Sequence, residues 1–275
     1  MKKILLLRMY LVGCILISSA TAEAQLFRRN GLYYSGDKDT KEARVISSDN
    51  KTNMIIPDTV EYDGNKYIVT TIGDNALQTN SMSTLVIGKH VRSLGIGSCN
   101  GCMNLSSVTW GESVDSIEWG AFQLCYALKS INWPDKVTTI GKNMFAFCPL
   151  ESFVIPASVS VIGSQAFAYT SIKELYCNGT TPPTLESDTF FGVSISELTI
   201  HVPRGCKSIY ESSDVWKDFP NIVDDQVSAI INTKAYETNH IHEVYQINGL
   251  PGRNISKGIV LVRTKEGNMV KKIVQ

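Results

Sequence analysis

The chain has 275 residues, 43% of them hydrophobic and 19% charged, with 26 basic and 26 acidic side chains. That composition excludes a disordered or low-complexity chain. The absence of a basic excess argues against a nucleic-acid surface, and nothing in the acidic balance invites cations.

Met1 to Ala24 has the layout of a secretory leader: Lys2 and Lys3 at the start, an apolar run over Leu11 to Ile17, and a small-x-small step at Ala22-Glu23-Ala24. Leu11-Val12-Gly13-Cys14 also has the form of a lipidation box. The apolar residues Ile15-Leu16-Ile17 continue past the cysteine, which favours plain cleavage. Without residues 1–24 the chain holds 23 basic and 25 acidic residues. No later segment is apolar enough to span a bilayer. The expectation is an exported chain at the cell surface or outside the cell, with periplasmic or lipid-anchored placement as alternatives.

Residues 25–66 form a candidate N-terminal β cap. Strand signals at Gly31 to Tyr34, Ala43 to Ile46 and Met54 to Ile56 alternate with turn formers. Asp63-Gly64 is a hairpin turn signal ahead of Lys66 to Thr70. Such a cap hides the apolar core and strand edge that an open repeat array would expose.

From residue 67 to 222 a pattern repeats. Apolar strand triplets recur at Leu105–Val108–Trp110, Leu128–Ile131–Trp133, Leu150–Phe153–Ile155 and Ile172–Leu175–Cys177, their leading residues 23, 22 and 22 positions apart. Between them recurs an aliphatic-Gly step and a small-aromatic pair, as in Ile140-Gly141 with Met144-Phe145 and Ile162-Gly163 with Ala166-Phe167. At Ile117-Glu118, glutamate replaces the glycine. A fixed period in the twenties is the signature of a solenoid. Each coil is expected to hold one strand, over 82–87, 105–110, 128–133, 150–155, 172–177 and 195–202, closed around a stacked aromatic. Period-two alternation turns residues such as Val108 and Trp110 inward. Tyr210, Trp216 and Phe219 are placed to close the last coil.

These elements resemble the BspA-type leucine-rich repeats, an exported class built on strand, Pro, Val-x-x-Ile-Gly, x-x-Ala-Phe, x-x-Cys. Residues 150–172 carry nearly all of it: Leu150, Phe153, Ile155-Pro156, Val159, Ile162-Gly163, Ala166-Phe167 and Ile172. Ser98-Cys99 and Glu118 depart from it. The fold class expected is a leucine-rich repeat solenoid, mostly β with short helical or irregular returns, plus a small C-terminal all-β domain.

Residues 226–275 form that last domain, with strand signals at 242–247, 257–262 and 269–274 and seven basic against three acidic residues. Tyr245-x-Ile247-x-Gly249, Lys257 to Val262 and Lys271-Lys272-Ile273-Val274 resemble the C-terminal sorting domain of type IX secretion. A β tail that only adds stability stands as the alternative.

Cys102, Cys125 and Cys148 share one phase, 23 residues apart. Stacked one per coil, about 4.8 Å apart, they are expected to be free, small, buried hydrophobes. Cys99-x-x-Cys102 lacks the second pair of a zinc site. His240-x-His242 lacks a third ligand, and histidines 90, 201, 240 and 242 make no triad. No nucleophile elbow, phosphate loop or dinucleotide fingerprint occurs. No catalytic residue, cofactor or metal is expected, and the chain is read as a non-enzyme.

The partner surface expected is the outward set of the sheet: Thr109, Asn132, Ser152, Glu174, Tyr176, Glu197 and Thr199, alongside Thr84, Val86, Ser107, Ser130 and Val154. Solenoids use such extended faces. Trp110 and Trp133 share the inward phase and are assigned to the core. The expected function is adhesion through an unidentified protein or glycan partner, with a structural envelope role as the alternative.

Overall fold

The computed structural model describes residues 24–226 and three later strands, Ile241–Gln246, Gly258–Thr264 and Met269–Val274. The leader reading, apart from Ala24, and the turns between the late strands lie outside the described residues. No helix among the described residues is long and apolar enough to cross a membrane.

The chain winds as a series of coils whose strands stack in two parallel ladders. One ladder joins Asn53–Ile55, Thr84–Val86 and Ser107–Thr109, then resumes as Ser152–Ile155, Glu174–Cys177, Thr199–Pro203 and Ile222–Gln226. The second joins Glu42–Ser48, Asn65–Ile72, Ser93–Leu94 and Ser116–Ile117, then resumes as Thr139–Ile140, Val161–Ile162 and Thr184–Leu185. Among the described residues the helical content is one short segment, Lys207–Glu211, and a 3-10 turn, Trp216–Asp218.

The core is a column. Phe122, Phe145, Phe167 and Phe190 stack coil upon coil, with centroids 6.0, 5.6 and 5.3 Å apart and interplanar angles of 15°, 28° and 8°. All four are buried, as are Leu77 and Cys99 in the same phase. The cysteine phase runs beside it. The thiols of Cys102, Cys125 and Cys148 donate to the carbonyls of Leu77, Cys99 and Phe122 at 3.1, 3.3 and 3.0 Å. Thr170 continues that phase, its hydroxyl donating to the Phe167 carbonyl at 2.9 Å. All six described cysteines are free thiols, and burial pushes the Cys177 thiol up. The thiols of Cys102, Cys125 and Cys148 thus fill space and satisfy a buried carbonyl at once.

Both ends are closed. At the start, Gln25–Arg29, Leu32–Gly36 and Glu42–Ser48 pair antiparallel, and the Thr59–Tyr62/Asn65–Ile72 hairpin turns at Asp63-Gly64, with φ of 50° and 69°. Two successive positive φ values are what a type I′ turn needs. Phe27 stacks on Tyr62 at 4.5 Å there. At the far end Phe219 packs edge-on against Phe190 at 5.4 Å, backed by Trp216. The Trp216 indole donates to the Pro183 carbonyl, and the Tyr210 hydroxyl to the Gly179 carbonyl. The late strands form an antiparallel three-stranded sheet.

Three expectations fail locally. Residues 128–133 form no strand. Trp110, expected fully inward, is only partly buried and turns its indole N–H to the Asn132 carbonyl. Trp133 lies against it at 6.3 Å, edge-on. Two bulky indoles in successive coils prop this step apart, and a side-chain donor occupies a carbonyl that faces the neighbouring coil. The last strand of the solenoid also begins later than expected, at Thr199 instead of residue 195. Phe145 and Phe167 each precede the matching inward strand residue, Phe153 or Leu175, by eight positions. Phe190 precedes Ile200 by ten, and the two extra residues form a turn over 195–197.

Phe167→Ala should cost about 3–5 kcal/mol, the usual penalty for removing a buried aromatic ring. Tyr126→Ala, on a half-exposed ring, should cost under about 0.5 kcal/mol. Denaturant unfolding of both variants checks the contrast.

Candidate binding face

Alternation along each strand leaves two rows of side chains on the outer face of the first ladder. One row runs Asn53, Thr84, Ser107, then Ser152, Glu174, Thr199. The other runs Ile55, Val86, Thr109, then Val154, Tyr176, His201. Thr109 and Asn132 are exposed, while Ser152, Glu174, Tyr176 and Thr199 are half-buried. Ser130 and Asn132 lie between the two halves of the ladder, outside any strand.

Glu197 does not join this face. It lies in the turn before its strand, where its carboxylate meets Lys173 at 3.7 Å. The register explains this: Glu174 pairs with Thr199 and Tyr176 with His201. Because the insertion is two residues long, inward and outward alternation survives, but the pair that faces outward moves on by one step. His201 takes the place that a 23-residue period gives to Thr199.

That shift assembles a cluster at the C-terminal end of the face. The His201 ring stacks on Tyr176 with centroids 4.4 Å apart and planes 10° from parallel. Its Nε2 lies 2.6 Å from a Glu174 oxygen and its Nδ1 lies 2.9 Å from the Asp225 carboxylate. Only 14% of the His201 side chain is exposed, against 44% of Glu174 and 56% of Asp225. Asp224, next in line, accepts from the Gly205 amide at 2.8 Å. The result is a face-to-face pair of rings, the histidine mostly buried, between two partly exposed carboxylates. The carboxylates sit at opposite nitrogens of one ring, so they do not converge on a common point. No group of His, Cys, Asp and Glu suited to a metal ion occurs among the described residues.

Burial, then the charges of Glu174 and Asp225, raise the Tyr176 phenol above its ordinary value. Along the rim, Lys129 pairs with Glu151 at 3.2 Å and Lys173 with Glu197, exposed pairs worth at most about 1 kcal/mol each. A further row escaped the sequence reading. On the return side, Phe147 stacks on Tyr169 at 4.7 Å, and Tyr169 meets Phe191 edge-on at 5.4 Å. These rings are two-fifths to one-half exposed. They follow the core aromatics by two positions, or by one at Phe191, a phase in which apolar residues recur. That recurrence was the available signal.

With this geometry established, comparison with known proteins decides the family. A profile of the BspA type Leucine rich repeat region, in 6 copies, matches residues 70–197 and 138–244, together more than half of the chain. The chain belongs to the BspA-type leucine-rich repeat family. Among solved structures, a leucine-rich repeat protein from Bacteroides ovatus is similar at 24% identity and a TM-score of 0.54, over 66% of this chain and 56% of that one. The pneumococcal vaccine antigen PcpA is similar at 17% identity and a TM-score of 0.56, over 68% of this chain and 52% of that one. Both likenesses are of fold, and the chain spans little more than half of either protein. No curated protein matches the chain by sequence.

Buried phenols make stability fall at high pH. Burial pushes Tyr34 up to about 12, and Tyr176 and Tyr210 are raised from the ordinary value of 10.0, Tyr210 also chiefly by burial. A neutral phenol held in the fold above its unfolded value contributes fully below pH 10 and loses that contribution as pH rises through the folded value. Unfolding free energy measured against pH should therefore decline above pH 10. In a tyrosinate absorbance titration, Glu174→Gln should move Tyr176 down only part of the way, since burial is the larger cause.

Proposed function

We propose that this BspA-type repeat protein is an exported, non-enzymatic adhesion module that docks a partner protein on its sheet face, with the stacked Tyr176–His201 pair at the C-terminal end of that face as the anchor. The single observation that carries this reading is that pair. It joins a half-buried tyrosine, held in place by the histidine ring stacked on it, to partly exposed carboxylates on both flanks. A tyrosine anchor is hot-spot chemistry, and flanking carboxylates favour a partner bearing Lys or Arg. The remainder of the face is small and polar, suited to complementarity more than to energy. Thr109, Asn132, Ser152, Glu174 and Thr199 belong to the footprint; Glu197 sits at its rim.

Export rests on the leader-like residues 1–24, and cell-surface display is the placement that suits an adhesion module of this family. Sorting by the type IX route rests on the resemblance carried by residues 226–275, and the domain limits 25–66, 67–222 and 226–275 are read in the same way. Truncation before residue 226 should abolish surface display in cell fractionation if that segment sorts the protein; unchanged display refutes the sorting role.

The docking claim is tested by arraying extracellular matrix proteins and glycans against the folded chain and measuring the strongest binder by surface plasmon resonance. Tyr176→Ala and His201→Ala should each weaken it by about 2 kcal/mol, roughly thirty-fold. Ser107→Ala, at the far end of the face, should leave it unchanged. Equal affinity for all three variants contradicts the reading.

A further inference from the structure

The two halves of the second ladder part at one step. Elsewhere the residue after each aliphatic anchor donates its amide to the anchor one coil back: Gly95 to Ile72 at 2.8 Å, Glu118 to Leu94 at 2.9 Å, Gly163 to Ile140 at 2.9 Å. Gly141 makes no such bond to Ile117, and Ser116–Ile117 does not pair with Thr139–Ile140. Between these coils lies a groove of about 410 Å³.

What lines the groove is not ordinary for its phase. In four other coils this position after the anchor is a closely packed glycine, and in the last it is Glu186. A Cβ added at Gly95 or Gly163 would come within 2.2 or 3.0 Å of the coil before. Here that phase carries Glu118, whose carboxylate accepts from the Ser116 hydroxyl at 3.3 Å and lines the groove. Asp115 stands on the same wall, Thr138 and Lys142 on the other, and Trp119, 49% exposed, completes the lining. A tight glycine position has been exchanged for a carboxylate, beside a large indole left half in water.

From this juxtaposition we infer that the groove between residues 115–119 and 137–142 is a binding site for a neutral oligosaccharide, separate from the protein-docking face. A pyranose ring has one face of C–H bonds and a rim of hydroxyls. The indole of Trp119 offers a plate for the C–H face, with an edge that tolerates water. Carboxylates accept from adjacent hydroxyl pairs, and Thr138 and Lys142 serve ring and hydroxyl oxygens from the opposite wall. The volume falls in the range of small-ligand sites, and a few convergent polar groups on a partly apolar lining are their usual chemistry. Two carboxylates against one ammonium leave the groove net negative, which selects uncharged sugars over uronates or sialic acids.

The test uses the full chain with a panel of neutral hexasaccharides, β-1,4-glucan, β-1,3-glucan, β-1,4-mannan and α-1,4-glucan, with an oligogalacturonate run alongside as the charged comparison. Tryptophan fluorescence and saturation-transfer difference NMR read the binding. At least one member should bind saturably. Trp119→Ala and Glu118→Gln, each checked for unchanged melting, should weaken it by at least ~10-fold. Tyr176→Ala should not change it, so failure here and failure of the docking face are distinguishable. No saturable binding by any member, binding unchanged in both groove variants, or preference for an oligogalacturonate overturns the proposal.

Discussion

Everything in this molecule depends on contact between identical phases of adjacent coils. A single coil of this length cannot bury its own aromatic; the ring of Phe145 is covered on one side by Phe122 and on the other by Phe167. Stability is therefore close to a sum of nearest-neighbour terms along one axis. Such a column is only as sound as its ends. Hence the stacked Phe27, Tyr34 and Tyr62 at one end, and at the other Tyr210, Trp216 and Phe219, each buried. The polar atoms of this second cap are tied to carbonyls of the preceding coil by the Tyr210 hydroxyl and the Trp216 indole.

The same stacking produces the outer face. Parallel strands in register bring side chains of equal phase to neighbouring positions, so two rows emerge without any residue being chosen for its partner in sequence. The rows are nearly featureless until the register slips at the end of the solenoid. There a two-residue insertion keeps alternation but exchanges Thr199 for His201 beside Tyr176. A repeat yields a scaffold; the two sites proposed here lie where repetition is departed from, at His201 and at Glu118.

The fold was legible because period and alternation are long-range signals that survive local noise. The aromatic column, the cysteine phase, the Asp63-Gly64 hairpin and the inward face of Trp133 all follow from counting. The break over residues 128–133 was not legible, since it depends on how two indoles share space and on Trp110 donating to a backbone carbonyl. The candidate site was only half legible. Glu174 and Tyr176 follow from alternation, but their partners His201 and Asp225 come from strands whose offset the repeat length does not fix. Glu197 was misplaced for the same reason. The exposed row Phe147, Tyr169 and Phe191 went unread because attention to the core phase hides a neighbouring phase of similar composition.

The most direct test of this account is a pair of double-mutant cycles in the aromatic column, read by denaturant unfolding. Phe145 and Phe167 touch, and truncating both should show a coupling of about 0.5–1.5 kcal/mol. Phe122 and Phe190 lie three coils apart and should be additive within about 0.5 kcal/mol. Additivity in the touching pair, or equal coupling in both pairs, would contradict a structure held together by contacts between neighbouring coils.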